Sequence, residues 1–262
     1  MENLQIIPGV IIEEKAKVEH EQDMLYRQLR LPKILPEQGG IGRLPLPIWH
    51  QGSLPICTGV AAANCRMIEY YLANGKMVNL SALFVYQMNR LFDGIDWKTK
   101  GSTLSASMQT LQQKGICLEK MYPTTAENCA RKFPGKYTAI QKIMSNADKY
   151  RIKNYARCEN LEDVLLALAD RHPVAFSMII YTDFYQAEKG RVSPCIRGER
   201  IGGHSMVAVN YDLQQEYIEV VQSWGKNKSG PTDKGYMYIP FTWFERKIEN
   251  DLPLMFEAFV LL

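Results

Sequence analysis

Among the 262 residues, the side chains able to do chemistry point first to one thiol, Cys57, in the run Gln51-Gly52-Ser53-Leu54-Pro55-Ile56-Cys57-Thr58-Gly59. The positions after it read as a helix: Ala61, Ala62, Ala63, Met67, Ile68 and Leu72 give an apolar face, and Asn74-Gly75 supplies a stop. Pro55 suits the approach to such a helix. A thiol at a helix N-terminus meets the positive end of the macrodipole, which favours the nucleophilic thiolate. The carboxamide of Gln51, one short loop upstream, is placed to donate to an oxyanion forming at a carbonyl that the sulfur attacks. A small cysteine packed in an alanine-rich helix fits the same residues.

A thiol nucleophile needs a base, and the chain has four histidines. His20 lies in a charged segment, His50 abuts Gln51 and His172 precedes Pro173. His204 stands in Ile201-Gly202-Gly203-His204-Ser205-Met206-Val207-Ala208-Val209, where two glycines lead into an apolar run that reads as a buried strand. Glycines there let another chain approach the backbone closely. Further on, Gln222-Ser223-Trp224-Gly225 closes a second strand-like run, Tyr217–Val221. The Gln222 amide is suited to accept the imidazole N–H, with Trp224 shielding that bond from water. A hydrogen-bonded structural histidine and a core tryptophan also fit these positions.

The elements that must hold these residues change character along the chain. Helices are expected over 57–73, over 81–92 with Ser81 as N-cap, over 104–114 with Gly115 as stop, over 138–148, and over 160–171 capped by Asn160. Strands follow at Val174–Tyr181, Met206–Tyr211, Tyr217–Val221, Tyr236–Ile239 and Met255–Leu262. Helices first and strands later imply an α+β fold with two lobes. Residues 1–44 differ: a charged stretch over 13–30 has the pattern of a helix, and Pro32, Pro36, Gly39, Gly40 and Gly42 then break regular structure. Taken on its residues alone, this segment reads as a solvated helix and linker docked on the body.

Net charge is only +3, and no Lys/Arg run with interleaved aromatics occurs, which argues against nucleic acid as a partner. No apolar stretch approaches a membrane span, and Met1–Pro8 lacks the basic and apolar regions of a Sec-type signal, so synthesis in a cytoplasm is expected, with export or delivery by another route left open. The six cysteines (Cys57, Cys65, Cys117, Cys129, Cys158 and Cys195) show no CxxC spacing, so no metal and no cofactor is expected and reduced thiols are the default. A hydrophobic fraction of 46% suits an ordinary globular core.

The chain resembles papain-like cysteine peptidases, and among them the bacterial xylellain-type branch. The matching pieces are Gln51-Gly52-Ser53 with Cys57, Leu80–Tyr86, Leu111–Glu119, Pro173–Phe176, Gly202-Gly203-His204-Ser205, and Gln222-Ser223-Trp224-Gly225 with Gly235-Tyr236, in family order over roughly residues 45 to 260. The separation of Cys57 and His204 also agrees with that family's spacing. The resemblance implies a helical lobe (about 50–150) facing a β-barrel-like lobe (about 151–262), with the site in the cleft between them, and residues 1–44 as a possible inhibitory propeptide. It implies Cys57 as nucleophile, His204 as base and then acid, Gln51 with the Cys57 N–H as oxyanion hole, and Gln222 as orienting residue. Gly101 then lies where the family hydrogen-bonds extended substrate backbone, and Gly203 borders the pocket for the second residue upstream of the cut. The implied activity is hydrolysis of peptide bonds in a peptide or protein. Three features depart from the pattern: Gln222 replaces the usual Asn, Thr58 follows the cysteine where plant and animal members have an aromatic residue, and Pro55-Ile56 is bulkier than usual. The Gln222 departure leaves a second expectation open, a papain-fold protein of weak or no hydrolysis that binds peptides or a partner.

Overall fold

The computed structural model describes residues 9–11, 24–30, 33–92, 94–96, 99–131, 133, 140–226, 231–248 and 251–262. Seven helices occur among them: α1 (Cys57–Asn74), α2 (Ala82–Phe92), α3 (Leu104–Gln113), α4 (Ala126–Cys129), α5 (Ile140–Asp148), α6 (Leu161–Ala169) and α7 (Phe241–Glu245). Seven strands form one sheet: β1 (Gln38–Gly40), β2 (Tyr155–Arg157), β3 (Val174–Tyr181), β4 (Arg200–Asp212), β5 (Tyr217–Val221), β6 (Tyr236–Pro240) and β7 (Met255–Leu261). The strand order is β2-β7-β3-β4-β5-β6, every pairing is antiparallel, and β1 joins the far end of β4. The α+β expectation holds, and the sheet is open, ending at β2 and β6.

The central strands carry two cores, one on each face. Alternate side chains of a strand point to opposite faces. Along β4, Val207 and Val209 enter the core with α1, α2 and α3, whereas Met206 and Ala208 enter the core with α6 and α7. β3 and β7 divide in the same way: Ala175, Phe259 and Leu261 face the helices α1–α3, and Phe176, Ala258 and Val260 face the second core. This two-sided burial explains why these strands read as continuous apolar runs rather than as clean alternation.

Local signals account for most helix ends. Ser81 Oγ accepts from the Phe84 N–H at 3.1 Å, as expected of an N-cap, and Asn160 Oδ1 accepts from Asp163 at 3.0 Å. Gly115, just beyond α3, sits at φ 76°, the left-handed region that stops a helix at little cost for glycine. β1, however, forms where proline and glycine had implied irregular chain. Gln38, Gly39 and Gly40 lie in antiparallel register with Asp212, Tyr211 and Asn210, flanked by backbone bonds from Leu213 N–H to the Glu37 carbonyl and from Ile41 N–H to the Val209 carbonyl, and Gly40 takes φ 126°, so the long-range partner overrides a poor local propensity. Residues 12–23, most of the helix expected over 13–30, lie outside the described residues, and Tyr26–Leu29 form a 3₁₀ turn. Tyr26 is fully buried in the second core and donates its hydroxyl to Asp170 at 2.8 Å. β2, α4 and α7 were not read from sequence, being only three to five residues long. Among the described residues, no helix is long and apolar enough to cross a membrane.

One polar row crosses the helix-facing side of this sheet. Ser205, Ser177 and Glu257 are cross-strand neighbours on β4, β3 and β7. The Glu257 carboxylate accepts from the backbone N–H groups of Leu104 and Ser105, both at 3.0 Å, while Thr103 Oγ1 accepts from Ala106. The first three orphan donors of α3 are thereby satisfied at a buried helix start. Replacing Glu257 with Ala is expected to destabilise the fold by about 1–3 kcal/mol, the cost of stranding buried donors. Glu257→Gln, which keeps an acceptor, is expected to lose less; equal stability of all three proteins in chemical denaturation would contradict this.

Candidate active site

Cys57 opens α1. The turn before it is built by Gln51, whose carbonyl accepts from Leu54 N–H at 3.0 Å while Gly52 takes φ 54°. The first helical bond runs from Val60 N–H to the Ile56 carbonyl at 3.0 Å. Small residues from Gly59 to Ala63 let α1 pack closely, with Gly59 set against the Ala82 carbonyl at the start of α2. The sulfur therefore sits at the N-terminus of a buried helix, facing β4.

His204 comes from the other direction, in the middle of β4. Its ring stacks on Trp224, with centroids 5.1 Å apart and planes 30° from parallel. Trp224 and Gln222 are delivered by the segment after β5. That segment is zipped to the turn before α1: Gln51 N–H donates to the Ser223 carbonyl at 2.8 Å, and Gly225 N–H to the Trp49 carbonyl at 2.8 Å. The Ser223 hydroxyl donates to Gln51 Oε1, and Gln51 Nε2 donates to the Leu54 carbonyl at 2.9 Å. The carboxamide proposed for an oxyanion is thus held rigid by both of its ends. Sequence reasoning missed Ser223, whose only signal was its place beside Gln222.

Gln51, Cys57, His204, Gln222 and Trp224 are all buried. The Gln222 carboxamide favours the charged form of His204, yet neither residue completes a well-aligned hydrogen bond among the described residues. The other described histidines lie elsewhere in function: His50 accepts from Gly52 N–H at 3.2 Å, and His172 Nδ1 faces Glu69 at 3.2 Å beside Tyr26. His20 is outside the described residues.

What buries the site is the chain's own N-terminal segment. Gly9-Val10-Ile11 lies extended between two backbone edges: Ser102 N–H donates to the Gly9 carbonyl and Ile11 N–H to the Ser102 carbonyl, each at 3.0 Å, and Val10 pairs antiparallel with Gly203. Gly9 lies against the Cys57 sulfur, since a Cβ added there would fall 2.9 Å from Cys57 Sγ and 2.7 Å from the Pro55 carbonyl oxygen. Of the two expected cleft glycines, Gly203 packs directly on Val10 beside Phe256. Gly101 shapes the opposite wall at φ 103°, donating to the Tyr86 hydroxyl at 3.2 Å, while the backbone bonds to the segment are made by Ser102 next to it.

This covering sets the protonation states. Burial pushes the Cys57 thiol up, against the opposing N–H groups of Ser205, Gly9 and Thr58 and the Ser205 hydroxyl. Burial pulls His204 down to about 4, with Gln222 opposing. Both shifts favour the neutral forms, the thiol of Cys57 and the imidazole of His204. Among the described residues, no cluster of His, Cys, Asp and Glu could hold a metal ion, and all six cysteines are free.

The overall architecture is shared with known structures. Xylellain, a cysteine protease from Xylella fastidiosa, superposes with a TM-score of 0.76 at 20% identity, covering 98% of this chain and 94% of that one. The chain has the papain-like fold. A cysteine protease of Carica candamarcensis shares the papain-like arrangement at TM-score 0.62 and 17% identity, over 87% of this chain and 98% of that one. A procathepsin B of Trypanosoma congolense does so at TM-score 0.66 and 16% identity, over 98% and 87%. An uncharacterized peptidase C1-like protein of Acanthamoeba polyphaga mimivirus is 24% identical over 205 residues, 74% of this chain. That match spans 64% of the viral protein's length, and no family model matches the chain.

The depressed His204 gives a pH test. Its unfolded form binds a proton near the ordinary pKa of 6.5, whereas the folded form resists until about 4. Stability owed to this group is therefore present above about pH 6.5 and lost as pH falls towards 4. Glu119 and Asp163, raised by burial, act in the opposite sense, so the difference from His204→Gln isolates the histidine. The melting temperature of the native chain, relative to that variant, is expected to fall across this window; a constant difference would rule the linkage out.

Proposed function

We propose that the chain is a cysteine endopeptidase whose N-terminal segment holds it inactive. The observation that carries this reading is the extended Gly9-Val10-Ile11 backbone, bonded to Ser102 and seated on Gly203, with Gly9 against the Cys57 sulfur. A cleft that binds one peptide backbone directly over a thiol, against the strand that carries an imidazole, suits attack on the carbonyl of another. One of the similar structures is itself a procathepsin.

In this reading, departure of the segment readmits water, lowers the thiol pKa and raises that of the imidazole, because burial is the leading cause of both shifts. His204 takes the thiol proton as Cys57 attacks a peptide carbonyl, and the Cys57 N–H and Gln51 carboxamide donate to the oxyanion. Collapse breaks the C–N bond, with His204 returning the proton to the leaving amine. Water, deprotonated by His204, then hydrolyses the thioester and frees the sulfur. Gln222 orients the ring from the position where the family pattern has Asn.

A second reading, a peptide-binding protein of weak hydrolysis, is favoured by one observation: the imperfect alignment of Gln222 with His204. Peptide-library turnover separates the two. A chain beginning at Ile12 keeps Tyr26 and β1, which a start near Leu44 would strip from the second core and the sheet. It is expected to cleave at least about tenfold faster than the full chain, given two backbone bonds and a buried valine released. Gly9→Ala, which forces the segment off the Pro55 carbonyl, is expected to fall between them, and Cys57→Ala to abolish cleavage. Equal rates for the full and shortened chains would refute the inhibition. Labelling of Cys57 without cleavage, unchanged by Gln222→Asn, would favour the binding protein.

A further inference from the structure

The wall that grips Gly9-Val10-Ile11 has no regular structure of its own. Gly101-Ser102 lies outside every helix and strand and meets the segment through an isolated bridge. Gly101 takes φ 103°, a backbone conformation that residues with side chains rarely adopt. Yet the Ser102 N–H and carbonyl each bond the segment at 3.0 Å, as the edge of a sheet would. The angle of such an edge has to be fixed from outside the loop.

The fixing groups come from α2. Tyr86, Asn89 and Arg90 share one face of that helix through their spacing of three and four residues, and all are buried. The Tyr86 hydroxyl oxygen accepts from Gly101 N–H at 3.2 Å, and Arg90 Nη1 donates to the same oxygen at 3.0 Å. Arg90 Nη2 donates to the Asp96 carbonyl at 2.5 Å, in the same connection between α2 and α3. Asn89 reaches the next residue of the wall. Its carboxamide suits its surroundings in one sense only: Nδ2 faces the Val85 carbonyl and Thr110 Oγ1, each at 2.8 Å, and Oδ1 faces Ser107 Oγ at 2.7 Å and Ser102 Oγ at 3.2 Å. Asn89, Ser102, Ser107 and Thr110 are all fully buried. Stability alone does not call for this network, because apolar side chains of the same shape would serve as well. What satisfied buried polar groups add is a single arrangement. We propose that Tyr86 and Asn89 are positioning residues for the peptide-binding edge, setting the angle at which Gly101-Ser102 presents its N–H and carbonyl to an extended backbone. They act through two consecutive residues of the wall, Tyr86 on Gly101 and Asn89 on Ser102.

This role concerns how the cleft holds a backbone and stands apart from whether it then cleaves one. The full chain's own segment is therefore the probe, read by amide hydrogen exchange at Ser102 and Ile11 with NMR. Tyr86→Phe and Ser102→Ala each remove a single oxygen, so the test does not depend on the bolder Asn89→Leu folding. None of the three changes alters the two backbone bonds being read. In each variant the Ser102 and Ile11 amides are expected to exchange about five- to tenfold faster, because a loosened edge opens more often. The amides that pair β3 with β4 report unfolding of the whole chain and are expected to rise by a smaller factor. Unchanged rates at Ser102 and Ile11, or a rise shared equally with β3 and β4, would overturn the proposal. Failure of the chain beginning at Ile12 to cleave peptides would sink the peptidase reading and leave this measurement intact.

Discussion

The structure depends on β4 serving two cores at once. Its 13 residues pair with β3 along one stretch, with β5 along another and with β1 at the end, so none of its buried backbone is idle. Because successive side chains face opposite lobes, neighbouring residues do different work. His204 looks towards Trp224 and the second core. Ser205 looks towards the helical core, beside Ser177. A one-residue slip of register would exchange them, presenting the hydroxyl to Trp224 and turning the imidazole into the helical core. The apolar residues that flank them on both faces, Val207 and Met206 among others, make such a slip costly, so packing in the two cores holds the site in register.

The helix-facing side of the same sheet also organises both helix starts that wall the cleft. Glu257 meets the N-terminus of α3, and β4 packs against α1, which Cys57 opens. Helix N-termini present unsatisfied donors and the positive end of a dipole, and each receives an anion or an acceptor. At α3 the answer is the Glu257 side chain, whose oxygens accept from Leu104 and Ser105 just beyond Gly101-Ser102. At α1 it is a sulfur whose charge is conditional on burial. The difference suits a structural site beside a chemical one.

The N-terminal segment joins these parts through two separate attachments. Tyr26 inserts in the second core and Arg30 and Lys33 pair with Asp170, remote in sequence from the three residues that enter the cleft. The anchor is built from side-chain burial and ion pairs, whereas the cleft contact is mostly backbone. A backbone-mediated contact depends little on side-chain identity, because every residue but proline carries the same N–H and C=O groups.

The helix that begins at Cys57, the other long helices and the central apolar runs were legible in the chain itself, although the strand expected from Met206 begins at Arg200 and so takes in His204. Each rests on short-range physics: caps, glycine stops and apolar periodicity act within a few residues, and the resemblance supplied the order of the motifs. What only the tertiary structure decided depends on partners distant in the chain. β1 forms because β4 offers it a pairing edge, and Ser102 rather than Gly101 grips the segment because its backbone faces Gly9. The protonation of Cys57 and His204 was equally beyond sequence. A helix dipole favours the thiolate, but the opposing desolvation arises only when Gly9-Val10-Ile11 lies over both residues, and burial is a property of the assembled fold.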